Sequence, residues 1–305
     1  MKYCYGPIPS RRLGRSLGIS PIPRKMCNYA CIYCMLGKTN PMTNTRKTIF
    51  PLKDILAELD ALLANNAQYD VISIVGEGEP TLYQDLKSLI LEIKKRTSKP
   101  VAVITNGALL YDPDVRSALM EADIVLPTID AYDEASLRRI NRPHPSISFE
   151  LVQQGLKLFT EEYQGECWLE LMLMKGINDD DASLFKYKEM LAELSYSRLY
   201  INTPIRPPAV SKVQMIDHET MEKAVLLLGG ISIELFSQEK YQSDIVDDYE
   251  AIISIIRRHP MNEFEIDSFL KTRGEKEASP LIKRLEIDPL IQTILYKGIH
   301  TYRMR

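Results

Sequence analysis

The feature that most restricts the fold is an alternation, from about residue 16 to residue 236, of short apolar, β-branched runs with longer stretches of helical periodicity. The runs fall at 16–19, 71–75, 101–105, 124–129, 168–173, 199–202 and 231–236. Runs this short are strand lengths, whereas a helix needs more residues to close its turns. Between the first two, residues 51–63 place Leu52, Ile55, Leu56, Leu59 and Leu62 on one helical face, with Asp54 and Glu58 on the rest. Strand and helix in alternation predict a parallel sheet with crossover helices. In a barrel or part-barrel of that kind, the chemistry sits in the loops after the strand C-termini. After residue 236 the pattern changes. Residues 246–257, 263–271 and 279–285 read as three short helices, followed by an apolar-alternating tail over 291–304. Three helices and a hairpin predict a winged-helix-like C-terminal domain over 241–305, after a larger domain over 1–240.

The chemistry is signalled by cysteine. Of five cysteines, Cys27, Cys31 and Cys34 form a C-x3-C-x2-C cluster, while Cys4 and Cys167 stand apart. Thiolates are the usual ligands of iron–sulfur clusters, and four normally complete a [4Fe–4S] site. Three in one loop leave one iron without a protein ligand, which is what an enzyme needs to bind a small molecule there. A structural zinc wants four closed ligands, and no histidine lies within a hundred residues of this loop. Cys4 would be a distant fourth ligand. The open cluster is therefore the favoured reading. No apolar run approaches the roughly 20 residues of a membrane span, and the N-terminus lacks a signal-peptide core, so a cytoplasmic location is expected. A net charge of −3 gives no general affinity for nucleic acid.

The triplet, with aromatic Tyr33 just before its last cysteine, resembles the signature of the radical SAM superfamily. The resemblance implies a partial (β/α)6 parallel barrel. It also implies a [4Fe–4S] cluster on Cys27, Cys31 and Cys34, whose fourth iron is chelated by S-adenosylmethionine (SAM). Reductive cleavage of SAM then yields a 5′-deoxyadenosyl radical that takes hydrogen from a substrate, with Tyr33 packing near the adenine. The turn Gly76-Glu77-Gly78-Glu79-Pro80, after run 71–75, resembles the family's G-G-E-P motif, with Glu77 in place of the first glycine. Thr105 and Asn106 end the next strand, and Asp130 follows the one after that. The resemblance implies that these polar residues contact SAM, Asp130 through the ribose hydroxyls. Asp130 serves equally well as an N-cap for the helical stretch 134–140. Glu170, a charge inside an apolar run, is costly unless paired and is expected to face the lumen. Lys175 is expected to pair with Glu170 or with the SAM carboxylate.

YGP-x-PSRRLGRSLG at 5–18, GEGEPTL, KGIND and NTP-x-RPP together resemble small iron–sulfur oxidoreductases related to the tRNA-modifying wyosine synthetases. Arg11, Arg12 and Arg206 are the candidates for substrate phosphate or carboxylate. The expected substrate is a macromolecule, RNA or polypeptide, recruited by the C-terminal domain, and the expected electron donor is a ferredoxin or flavodoxin. The alternative is a non-catalytic iron–sulfur or zinc sensor with a DNA-binding winged helix. A sensor has no need of a glycine-rich turn and polar residues at successive strand ends.

Overall fold

The computed structural model describes residues 2–64, 68–233, 241, 243, 245–274 and 278–305. Eight strands form one sheet in the order of the chain: β1 (Cys4–Ser10), β2 (Gly14–Ile19), β3 (Val71–Ile74), β4 (Val101–Thr105), β5 (Ile124–Pro127), β6 (Glu166–Met172), β7 (Arg198–Asn202) and β8 (Ile231–Ser232). From β2 to β8 every pairing is parallel, and β1 alone runs antiparallel, paired to β2. β1 and β8 are the edges, so the sheet is open among the described residues.

The crossover helices are α1 (Leu52–Ala64), α2 (Leu86–Lys94), α3 (Pro113–Leu119), α4 (Glu134–Ile140), α5 (Phe149–Glu162), α6 (Asp181–Leu191) and α7 (His218–Leu228). Leu17, Ile72, Val103, Val125, Leu169 and Ile201 project to the helix-covered side and merge with the apolar stripes of α1 and α2 in one core. Their sequence neighbours Val71, Ala102, Ile124, Leu126, Trp168 and Tyr200 project to the other face as a second apolar cluster. Strands buried on both faces need continuous apolar runs, which is why the seven runs stand out. The run 231–236 is described only as far as residue 233, so its end lies outside the described residues, as does the expected domain boundary at residue 240.

β1 was not expected. Its Pro7 and Pro9 cannot donate to a ladder, and proline is confined to strand edges and bulges. β1 is the edge, with a register shift between Tyr5 and Ile8. The basic opening is therefore a hairpin, with Arg11 and Arg12 at its turn.

The C-terminal segment runs α8 (Asp248–Ile256), β9 (Met261–Asn262), α9 (Glu263–Thr272), α10 (Ser279–Ile287), β10 (Ile291–Tyr296) and β11 (Ile299–Met304). The last three strands form an antiparallel sheet ordered β10-β11-β9. Lys297 (φ 54°) and Gly298 (φ 76°) link β10 to β11 with both φ positive, the backbone twist that suits two-residue hairpins. This segment is not a loose appendage. Its core includes Tyr5 and Ile8 of β1. Arg24 donates to the carbonyls of Met304 (3.0 Å) and Arg305 (2.8 Å), and Tyr296 to that of Pro204 (2.6 Å). Among the described residues, no helix is long and apolar enough to cross a membrane.

Candidate functional site

Side chains along a strand alternate in direction, and this sets the character of the sheet mouth. On β6, Trp168, Glu170 and Met172 share a face; on β7, Tyr200 and Asn202 do. On that face each strand carries a buried aromatic ring, Trp168 or Tyr200, followed two residues on by a polar side chain, Glu170 or Asn202. Asn202 Nδ2 donates to Glu170 Oε1 at 3.2 Å, and Arg12, from the β1–β2 turn, forms an ion pair with Glu170 Oε2. Glu170 thus faces the lumen as expected, but its partner is Arg12. Lys175 lies elsewhere: it is exposed and pairs with Asp217 at 3.5 Å. Its backbone N–H donates to the carbonyl of Gln214 (3.0 Å), which carries the chain away from the mouth. The expected pairing of Lys175 with Glu170 is therefore not formed.

A cavity of about 330 Å³ opens at the strand C-termini. Its walls include Cys27, Cys31, Tyr33 and Cys34, the turn Gly76–Glu79, and Thr105 and Asn106. Pro80 sits just behind, at the start of a short 3-10 turn. The cysteine loop is held from outside: the N–H groups of Ala30 and Ile32 donate to the carbonyls of Asn141 and Ile140, each at 2.9 Å. Asn106 Nδ2 lies 3.6 Å from Cys27 Sγ, and Asn141 Nδ2 lies 3.5 Å from Cys31 Sγ. Amide donors on thiolate sulfurs are a standard means of tuning a cluster. Asn141 carries no signal in the sequence; it follows α4 and reaches the loop only through the fold. Burial pushes the Cys27, Cys31 and Cys34 thiols upward, so by themselves they are neutral thiols, and it is metal coordination that would deprotonate them.

Glu79 is buried and fully bonded. Its Oε1 accepts from Thr81 N–H (3.0 Å), Thr81 Oγ1 (2.6 Å) and Thr105 Oγ1 (2.6 Å), and its Oε2 from Asn106 N–H (2.7 Å). The carboxylate therefore ties the turn after β3 to the end of β4. Glu77 points differently, toward Arg24 (3.8 Å) and Arg258 (3.9 Å). Its N–H donates to Ser20 Oγ (3.2 Å), and its carbonyl accepts from Lys25 N–H.

Asp130 does not cap α4. Asp133 caps α4, through a reciprocal pairing with Ser136. Asp130 is 2 % exposed, and its oxygens accept from the Tyr33 hydroxyl, Asn141 Nδ2 (3.0 Å) and Met172 N–H (2.9 Å). It lines a smaller cavity behind the large one. Burial raises its pKa to about 7 despite these donors. Its place is behind Tyr33, holding that ring, the cysteine loop and β6 together. Asp130→Ala leaves several buried donors unsatisfied, each costing about 1–3 kcal/mol. We expect a clear fall in the urea midpoint, with iron content unchanged. Loss of SAM affinity at unaltered stability would instead put Asp130 in contact with the cofactor.

Cys4 and Cys167 are buried away from the cavity, Cys4 with its Sγ 3.8 Å from the Ile55 carbonyl. Among the described residues, no three His, Cys, Asp or Glu side chains converge to grip a single metal ion. This is compatible with a cluster, whose thiolates each take a different iron and so stand further apart than ligands of one ion. The buried Tyr29 hydroxyl, in the wall of the same cavity, has no hydrogen-bond partner. The donor set and the cavity thus fit a cluster with a ligand beside it.

Fold and site define an α/β protein with a three-cysteine loop at the C-terminal mouth of a parallel sheet. The chain belongs to the radical SAM superfamily, whose profile matches residues 22–187. It is 34% identical to a UPF0026 protein of Methanocaldococcus jannaschii over 88% of this chain and 86% of that protein. It is 35% identical to a protein named GTPase Obg from Brachyspira hyodysenteriae over 99% of this chain, but spans only 45% of that protein's length. Among solved structures, TYW1 with a lysine-pyruvate adduct bound superposes with a TM-score of 0.53 at 20% identity, covering 70% of this chain and 72% of that one. Streptococcus suis SuiB also reaches 0.53, at 18% identity, over 70% of this chain and 45% of that one. At such identities the structural likeness speaks for the fold. Members of the superfamily are enzymes that use a [4Fe–4S] cluster and SAM.

Proposed function

We propose that the chain cleaves SAM reductively at a [4Fe–4S] cluster held by Cys27, Cys31 and Cys34, and abstracts hydrogen from a macromolecular substrate, RNA or polypeptide. The observation that carries the reading is the single cavity walled by the three thiols, the glycine turn and the end of β4. When bound and reduced, the cluster supplies the electron that breaks the sulfonium C–S bond. The chain's own residues bind, orient and shield. Tyr33 forms an aromatic wall, steadied by Asp130. Gly76, Gly78 and Pro80 shape the turn, and Glu79 holds it against Thr105 and Asn106. Glu170 and Arg12 neutralise one another at the lumen, leaving Arg12 beside both the cofactor and a second chamber.

We read the C-terminal segment as a winged helix; the order helix, strand, two helices, hairpin supports this. It would recruit the substrate, with a ferredoxin or flavodoxin as electron donor. Anaerobically reconstituted protein should hold about four irons per chain, as a [4Fe–4S] site requires, and should form 5′-deoxyadenosine from SAM and a reductant. Stoichiometric zinc without iron would overturn the reading. Substrate affinity that falls steeply with salt would indicate phosphate contacts and hence RNA.

A further inference from the structure

Beside the cysteine cavity lies a second chamber of about 300 Å³, which shares Arg12, Glu77, Asn202 and Arg206 with it. Its charged wall is assembled from four distant places in the chain, of which the turn after β3 gives the acid Glu77. The β1–β2 turn gives Arg11 and Arg12, the segment after β7 gives Arg206, and the end of α8 gives Arg258 and His259.

Arg258 is 6% exposed, and its guanidinium lies 4.1 Å over the Tyr5 ring. Its terminal nitrogens reach the carbonyls of Ser254 (3.4 Å) and Lys2 (3.3 Å). Its Nε is buried with no hydrogen-bond partner, as is Glu77 Oε1; the closest approach of the two side chains is 3.9 Å, too long for a bond. Arg12 and Arg206 are paired with Glu170 and Glu265. His259 is held neutral: burial, then Arg206, Arg12 and Arg258, push its pKa down to about 3. Buried charge short of partners is costly, and an anion relieves that cost. Leu13, Val75, Ile104 and Ile233 make the apolar part of the remaining wall, beside Ser10, Ser16, Ser73 and Asn202, so the chamber suits a compact organic ion.

We propose that this chamber binds a small organic oxyanion, a carboxylate or phosphate ester, held by Arg258 together with Arg11, Arg12 and Arg206 and contacted by His259. The proposal rests on the reading that the adjoining cavity is the SAM site, and makes the C-terminal segment part of the binding wall as well as a recruiting element. Arginine matches either oxyanion by its planar fork.

The test is calorimetry on anaerobic holoprotein at fixed ionic strength, with pyrophosphate and malonate as separate probes and chloride as the control. Saturable binding of at least one probe is expected, and which one binds tells phosphate from carboxylate. Arg258→Gln should weaken it about tenfold or more. Because Arg258 also carries the Tyr5 contact, Arg11→Gln on the partly exposed turn is the second variant, with the same expected direction. Failure of both probes to saturate, binding matched by chloride, or parent-like affinity in both variants overturns the proposal. Uptake of only a long oligonucleotide or peptide would do so as well. Formation of 5′-deoxyadenosine by the parent is measured separately. Its absence would remove the SAM reading while leaving the anion result standing.

Discussion

Alanine in place of any one of Cys27, Cys31 and Cys34 will bring iron in the anaerobically purified protein close to zero and 5′-deoxyadenosine below detection. The effect is all-or-none because the three thiols are the only cysteines among the described residues that line the cavity, and two thiolates cannot retain a cubane that already lacks a fourth. The matched controls are Cys4→Ala and Cys167→Ala. Both residues are buried in the core between the sheet and its helices, so these variants will lose some stability, about 1 kcal/mol for a small buried side chain, and keep their iron. Iron quantitation with protein concentration by amino-acid analysis decides the matter. Parent-like iron in one of the triplet variants would mean that a different residue ligates the cluster.

The second large effect is at Gly78. A Cβ built there would lie 1.9 Å from the Met26 carbonyl oxygen and 2.7 Å from its carbon. Backbone meets backbone, with no flexible side chain to swing aside. The contact is also bonded: Glu79 N–H donates to that same Met26 carbonyl at 3.0 Å, and Lys25 N–H to the Glu77 carbonyl. Gly78→Ala must therefore separate the turn from the cysteine loop. Such overpacking costs typically about 1–3 kcal/mol, here taken directly from the cofactor wall. SAM affinity, read by equilibrium dialysis on reconstituted protein, should fall about tenfold or more. Gly176→Ala is the control. Its positive φ of 67° costs backbone strain, but nothing lies within 4 Å of the added methyl, so SAM affinity should hold. Equal affinity in Gly78→Ala and the parent would exclude this turn from the site.

The sequence by itself determined the repetitive and the contiguous. The seven apolar runs declare their strands because a sheet covered on both faces demands unbroken β-branched segments. The C-x3-C-x2-C loop and the turn Gly76–Pro80 are legible because each is one short stretch of chain. The three C-terminal helices could be read for the same reason, with ends within two residues of those observed. What only the tertiary structure decided was partnership. Glu170 finds Arg12 and not Lys175, although Lys175 is nearer in the chain, because β6 carries residue 170 inward while the following turn leads residue 175 out to Asp217. Asp130 backs Tyr33 from 97 positions away, and Asn141 reaches Cys31 from 110. Arg258 and His259 close a chamber whose other wall begins at Tyr5. Periodicity reports the direction in which a side chain leaves its own element, and is silent on what another element brings to meet it. Charge and hydrogen bonding act across a few ångströms of space, whatever the separation along the chain.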